Sequence, residues 1–181
     1  PAPIAWVIGT DPSVHFATVA NMAFGTEEIN VAGGLNGEPV KIVKCKTSDI
    51  MVPAESEIII EGEVLPGEFA DEGPFGEFAG YMGPVAKKPL VRITAITHRK
   101  DAIYYGYSSQ MPPSESTVLQ SLTNGPLVLK ILREDMGDKN VKDVHIDLTF
   151  GGLLAHCMVS MTPQNEGHAK KIGRLVADMT P

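Results

Sequence analysis

Residues 71–81, with the sequence DEGPFGEFAGY, have the residue types and spacing best suited to catalysis. Glu72 and Glu77 stand among glycine, proline and aromatic residues, and such a stiff backbone can direct carboxylates into a cleft. If both entered one cleft, repulsion and desolvation would favour the protonated form of one of them, which suits a general acid. Acids in such a loop are more often solvated turn residues. The spacing alone leaves both interpretations open.

Other reactive residue types give weaker signals. Glu27 and Glu28 stand where a helix is predicted to begin, and the helix dipole favours acidic residues there, so a structural role is the simpler interpretation. The five histidines show no HExxH or other metal-ligand spacing. Ser108, Ser109 and Cys157 lack a nearby sequence signature of a base or an oxyanion loop. Neither zinc nor a nucleophilic triad is therefore expected.

The elements that position the glutamates are predicted to be mostly strands. Segments rich in Val, Ile, Thr and Tyr, separated by Gly, Pro and Asp, predict strands at residues 4–9, 40–45, 57–63, 90–98 and 102–107. Between the third and fourth lies a segment, residues 65–89, that is too long for a hairpin turn and is predicted to be an ordered functional loop. Helices are predicted at residues 14–23 and, capped by Thr26, from about residue 26 to Leu35.

The remaining residues predict a second, helix-containing part. Ser114 is suited to cap a helix, which we expect Asn124, Gly125 and Pro126 to interrupt. Strands at residues 141–150 and 153–161 and an amphipathic helix at residues 167–179 follow. A domain boundary is therefore predicted near residues 111–113.

Composition excludes several classes of protein. The chain has 181 residues, a formal net charge of -7 and no long basic cluster, so nucleic acid is not an expected partner. Cys45 and Cys157 are the two cysteines, which fits a reducing cytoplasm better than a disulfide framework. No apolar run approaches the roughly 20 residues that span a bilayer. The first residue is Pro1 rather than Met, which predicts a piece of a longer polypeptide.

The segment EGPFGE at residues 72–77, continued by FAGY, resembles the signature of the UbiD family of reversible decarboxylases. Further segments occur in the order expected of that family and extend the resemblance over nearly the whole chain. These are AGGLNGE (32–38), VKC (43–45), VPA (52–54), EG (61–62), ITHR (96–99) and GHAK (167–170).

The resemblance implies chemistry through prenylated FMN (prFMN), which serves to add or remove carbon dioxide on aromatic or α,β-unsaturated carboxylic acids. Glu77 matches the family's acid, which protonates the substrate carbon after carbon dioxide leaves. Glu72 matches the carboxylate that joins it in a network with an arginine. Glu28 matches the ligand of a divalent metal, typically manganese with potassium nearby, that bridges to the flavin phosphate. Phe78 would form an apolar wall of the substrate pocket. The alternative is that Phe78 simply packs in the core.

The resemblance also implies an α+β architecture with two parts. Residues 1–112 match an antiparallel split β-barrel that carries the catalytic carboxylates, and residues 113–181 match the beginning of a C-terminal α/β domain. The complete protein would be a homo-oligomer supplied with cofactor by a flavin prenyltransferase. The arginine, the other metal ligands and a phosphate-binding lysine have no counterpart in this sequence. We therefore expect the isolated chain to be inactive and to retain no cofactor.

Two alternatives are open at this point. The segment could be a non-catalytic scaffold or assembly module of a multisubunit carboxylase. The strand pattern also permits an FMN-binding split-barrel oxidoreductase, because a fold does not determine a function.

Overall fold

The computed structural model describes the chain except residues 21, 23, 24, 78, 79, 110, 151–155, 180 and 181, and describes only the backbone of Phe150. The chain divides into two compact units. Unit 1 comprises Pro1–Thr18, Met22–Phe75 and Met82–Gly106, and unit 2 comprises Val19–Asn21, Gly76–Tyr81 and Tyr107–Pro181. Helices and antiparallel strands occur together, so the fold is α+β.

Residues 1–106 contain seven strands and two helices among the residues that the structure describes. In chain order they are β1 (Ala2–Ile8), α1 (Pro12–Val19), α2 (Glu28–Asn36), β2 (Ile42–Lys44), β3 (Met51–Pro53), β4 (Ile58–Glu72), β5 (Phe75–Gly76), β6 (Met82–Gly83) and β7 (Ala86–His98).

An antiparallel sheet with the order β1-β4-β7 forms the centre of unit 1. The register of β1 on β4 runs from Ala2 opposite Val64 to Ile8 opposite Ile58. At Gly62, β4 lies close to β7, because a Cβ there would stand 2.8 Å from the Arg92 carbonyl oxygen. The strands β2 and β3 form a separate hairpin. Glycine at position 62 therefore allows the central strand to pair on both sides.

The predicted strands are mostly present, but the hairpin is longer than the sequence indicates. Residues 65–72 continue β4 and residues 86–89 begin β7, so the predicted loop at residues 65–89 is wrong over much of its length. The register shift between Val64 and Phe69 accommodates Pro66 and Gly67 within the strand. Residues 102–107 form no strand, which corrects another prediction.

The helix α2 begins later and is capped differently from the prediction. Its N-cap is Glu27, which forms no side-chain capping hydrogen bond, so Thr26 is not the cap. Its end agrees with the prediction, since Gly37 follows with a φ of 79°. Positive φ favours glycine, which lacks the Cβ that makes this conformation costly.

Unit 2 packs its helices on a two-stranded sheet. Its elements are α3 (Glu115–Lys130), a π-helical turn (Ile131–Asp135), β8 (Val141–Ile146), a 3-10 turn (Leu148–Phe150), β9 (Cys157–Met161) and α4 (His168–Asp178). The strand β8 ends at Ile146, earlier than predicted, and β9 begins at Cys157, while residues 153–155 of the second prediction lie outside the described residues. The core contains Val128, Leu132, Val141, Ile172 and Val176.

The helix α3 is continuous, although an interruption is predicted at Asn124, Gly125 and Pro126. Pro126 lies inside the helix. Val128 and Leu132, which follow it, are 2% and 0% exposed, so burial of this face stabilises the helix beyond the proline. Ser114 is the N-cap, as predicted.

None of the helices in the described part of the chain is long and apolar enough to cross a membrane.

Candidate active site

Backbone hydrogen bonds join Glu77 to Gly80 and Tyr81 in unit 2, and these three residues are called the Glu77 hairpin. The Glu77 N–H donates to the Tyr81 carbonyl at 2.9 Å, and the Glu77 carbonyl accepts from the Gly80 N–H at 3.0 Å. Both backbone groups of Glu77 are therefore held, while the residue itself is exposed to solvent. An exposed carboxylate on a hydrogen-bonded backbone is available to a partner from outside the chain.

Glu72 is the last residue of β4 in unit 1 and is also exposed. Its cross-strand partner is Ala86, a small residue. The neighbouring Asp71 lies opposite Lys87, which binds its carboxylate at 2.9 Å. On β4, the carboxylate of Asp71 is therefore paired with a lysine, whereas Glu72 lies opposite the short side chain of Ala86. Phe78, predicted to wall the pocket, lies outside the described residues.

Glu28 is the first residue of α2 and is exposed. Next to it, Glu27 lines a groove of about 600 Å³ that also includes Asn30 and Glu38 and has no lysine or arginine among its lining residues. The two carboxylates give the lining of this groove a negative charge. Within the described residues, no three His, Cys, Asp or Glu side chains converge on a position that could hold a metal ion. Glu28 itself is not among the residues that line this groove.

A buried carboxylate that sequence reasoning did not single out for a role lies at the centre of unit 1. Glu61, 1% exposed on β4, accepts hydrogen bonds from the Lys46 N–H at 2.7 Å, the Thr47 N–H at 2.7 Å and the Thr47 hydroxyl at 2.6 Å. Thr94 on β7 lies 2.6 Å from the Thr47 hydroxyl oxygen and can donate to it, because the Thr47 proton is directed at Glu61. Burial raises the pKa of Glu61, but these hydrogen bonds together outweigh it and lower that pKa.

A second pair joins two segments of unit 2. The Gln164 N–H donates to His168 Nδ1 at 3.1 Å, so Nδ1 carries no proton and the ring proton is on Nε2. Nε2 then donates to Asp138 at 2.5 Å. This hydrogen bond, with those from Asn140, lowers the pKa of Asp138 despite the opposing effect of desolvation. Residue spacing could not reveal either cluster, because its partners are far apart in sequence.

The comparisons with known proteins concern both units. The model of the UbiD family, described as the 3-octaprenyl-4-hydroxybenzoate carboxy-lyase Rift-related domain, matches residues 1–112. The chain belongs to the UbiD family. The match includes Glu28, Glu72 and Glu77, and the identification made from the EGPFGE segment is confirmed.

Solved structures of UbiD-class enzymes resemble the chain over almost its whole length. An evolved dimeric form of HmfF from Pelotomaculum thermopropionicum, in complex with prFMN, is 36% identical over 97% of this chain, with a TM-score of 0.87. Vanillic acid decarboxylase of Sedimentibacter hydroxybenzoicus is 31% identical over 99%, with a TM-score of 0.85. Apo 3,4-dihydroxybenzoic acid decarboxylase of Klebsiella pneumoniae is 25% identical over 98%, with a TM-score of 0.85.

The chain spans only part of these UbiD relatives. It covers 40% of the HmfF chain and 38% of each of the two decarboxylase chains. The relatives named here are decarboxylases or UbiD-class enzymes, and HmfF has been solved with prFMN and with FMN.

Proposed function

We propose that this UbiD segment is the carboxylate-bearing part of a non-oxidative decarboxylase that acts through prFMN on aromatic or α,β-unsaturated carboxylic acids. The observation that carries the proposal is the resemblance over 97% of the chain to an enzyme solved with prFMN. The EGPFGE segment supports decarboxylation over hydride transfer. Reaction in the opposite direction, carboxylation, uses the same groups.

Glu77 is the proposed proton donor. Its carboxyl group delivers a proton to the substrate carbon that has lost carbon dioxide, and in carboxylation it accepts that proton. The backbone hydrogen bonds of Glu77 with Gly80 and Tyr81 hold the main chain from which the carboxyl group extends, and general acid catalysis requires such a placed acid. When bound, prFMN supplies the stabilisation of negative charge that loss of carbon dioxide demands.

Glu72 is proposed to control the protonation of Glu77 together with an arginine from outside this chain. An external arginine is reasonable because both arginines of unit 1 already bind other glutamates. Arg92 binds Glu63 at 2.8 Å, and Arg99 binds Glu57 at 2.9 Å. Glu72 itself is exposed and available.

The donor set of the chain fits part of a metal and flavin site. Glu28 offers a hard oxygen ligand of the kind that manganese prefers, and the nearby groove lined by Glu27 and Glu38 carries a negative charge. The other ligands, and any site for potassium, belong to residues beyond those described. We therefore propose that residues 1–181 alone retain neither flavin nor manganese. Absorbance and metal analysis of the purified segment test this, and stoichiometric flavin or manganese would contradict it.

Further parts of the proposal concern organisation. Residues 1–112 are the split-barrel segment, residues 113–181 begin the C-terminal α/β domain, and Phe78 contacts substrate. The complete protein is a homo-oligomer that acts in the cytoplasm, where the free thiols of Cys45 and Cys157 are stable, and receives cofactor from a flavin prenyltransferase.

Exchange of labelled carbon dioxide tests the proposed reaction. The complete polypeptide, produced together with a flavin prenyltransferase, is incubated with a panel of aromatic and unsaturated acids. We expect Glu77→Gln to lower exchange by about 10²-fold to 10⁴-fold while cofactor binding persists. Glu68→Gln, an exposed carboxylate elsewhere on β4, is the matched control and should exchange normally.

Other results would support different functions. No exchange with any acid despite bound prFMN would favour a scaffold role or another substrate class. Bound FMN with hydride transfer from a nicotinamide would favour an oxidoreductase. Normal exchange by Glu77→Gln would contradict the role of this residue.

A further inference from the structure

The hairpin that carries Glu77 is packed against a second segment of unit 2. Gly80 closes the hairpin, because its N–H donates to the Glu77 carbonyl at 3.0 Å. A Cβ at Gly80 would lie 3.3 Å from Met111 Sδ, 3.3 Å from Pro112 Cδ and 3.6 Å from Met111 Cα. Met111 and Pro112 thus occupy the space beside Gly80 in which a side chain would begin.

Both sides of this contact have unusual backbone conformations. Gly80 has a φ of +86°, in the region that side chains rarely adopt. Met111 has a φ of 59° and is the one residue other than glycine with a positive φ in the described part of the chain. A non-glycine residue keeps such a conformation only where its surroundings stabilise it. The close approach of the two segments therefore depends on both backbones.

Met111 and Pro112 lie just before the hydrogen-bonded first turn of α3. Two residues after Pro112, the Ser114 N–H donates to Thr117 Oγ1 at 2.8 Å, and Thr117 Oγ1 donates to the Ser114 carbonyl at 2.9 Å. Thr117 is 0% exposed and Ser114 is 9% exposed. These bonds fix the first turn of α3, and hence the place where Met111 and Pro112 lie.

We propose that Gly80, seated on Met111 and Pro112, positions the carboxyl group of Glu77 for proton transfer. The inference rests on the proposed role of Glu77 as proton donor. Gly80 and Met111 act through Glu77 and are positioning residues. A misplacement of a reacting group by about 1 Å can cost on the order of 10²-fold in rate, so a displaced hairpin should slow turnover.

Gly80→Ala and Gly67→Ala form a matched pair for the test. Gly67 has a φ of +75°, but a Cβ there would have nothing within 4 Å, so its substitution reproduces the backbone strain without the contact. In the complete polypeptide loaded with prFMN, Gly80→Ala should lower kcat by roughly 10-fold to 100-fold with KM nearly unchanged. Gly67→Ala should leave kcat within about twofold, because Gly67 is exposed and its added Cβ would meet no other atom within 4 Å.

Hydrogen exchange provides a readout that does not depend on activity. Peptides that contain the amides of Glu77 and Gly80 should exchange faster in Gly80→Ala than in the parent protein or in Gly67→Ala. Met111→Gly, which empties the space beside Gly80, should also speed this exchange when introduced alone. Combined with Gly80→Ala, it should restore most of the lost kcat, since mutations at contacting residues are not additive.

The outcomes separate this inference from the proposed function. If Glu77→Gln abolishes exchange of carbon dioxide but Gly80→Ala behaves like Gly67→Ala in kcat and hydrogen exchange, the positioning role is wrong and the proposed function stands. If the parent enzyme catalyses no exchange, the proposed function fails, and the hydrogen-exchange comparison decides whether Gly80 holds the hairpin. Should Gly80→Ala not fold, unchanged hydrogen exchange in Met111→Gly would overturn the inference.

Discussion

The buried carboxylate of Glu61 and the backbone and hydroxyl of Thr47 form two hydrogen bonds, of 2.7 and 2.6 Å. The bonds attach the segment after β2 to the central strand β4. A carboxylate that is 1% exposed would be costly without such donors, because burial disfavours a charge. The relationship identifies Glu61 as a structural residue, in contrast to the exposed Glu72 on the same strand.

Substitution of Glu61 should destabilise the protein. Glu61→Gln loses the negative charge and directs an amide group at a donor, which should lower the free energy of unfolding by about 2 kcal/mol. Urea denaturation measures the change. Glu63→Gln removes an exposed pair with Arg92 and should cost at most about 1 kcal/mol. Equal effects of the two substitutions would contradict the assignment.

The lowered pKa of Glu61 predicts a dependence of stability on pH. Its pKa lies below the ordinary value of 4.5 in the folded state, so the unfolded state binds the proton more readily. The contribution is therefore fully present above about pH 4.5 and is lost as the pH falls through the folded pKa. Urea midpoints between about pH 3 and pH 7 should fall less steeply at low pH in Glu61→Gln. Parallel profiles would show that other groups cause the acid sensitivity.

His168 should hold the N-terminus of α4. His168→Ala removes the donor to Asp138 and the acceptor for the Gln164 N–H, so we expect amide exchange to accelerate in residues 164–172 and stability to fall by about 2 kcal/mol. Lys170→Ala, which changes an exposed residue of the same turn, is the control. Unchanged exchange in His168→Ala would indicate that the packing of α4 alone holds this end.

Glu28 should affect metal content more than stability. In the complete polypeptide, Glu28→Ala should lower the manganese content by about 10-fold or more, as loss of even an indirect partner typically costs 10-fold to 100-fold in affinity. Glu55→Ala, an exposed carboxylate paired with Lys41, should not change it. Metal analysis of both variants measures the difference, and equal metal content would remove Glu28 from the proposed site.

The composition of short segments predicted most of the helices and strands. The predictions that failed depended on contacts between residues far apart in the sequence. The Val-, Ile- and Thr-rich composition of residues 90–98 predicted that part of β7, but nothing local indicated that a register shift in β4 would accommodate Pro66 and Gly67. Residues 102–107 have the composition of a strand yet form none. Composition describes how well a segment would fit a sheet, and the fold determines whether a partner strand is available.

The candidate site was predictable for a different reason. Glu72 and Glu77 were found from a short continuous segment that resembles a family signature, and their roles are still proposals. The two buried hydrogen-bonded pairs were not predicted, because Glu61 is 14 residues from Thr47 and His168 is 30 residues from Asp138. Such pairs are recognised only when the chain is folded.

Glu72 lies at the far end of the long hairpin that β4 and β7 form. The first strand supports β4 over residues 58–64, whereas residues 69–72 pair with β7 beyond the register shift. At about 3.3 Å per residue, the distance from Val64 to Glu72 is roughly 25 Å. The position of Glu72 therefore depends on the pairing of residues 69–72 with β7 and not on the three-stranded part of the sheet.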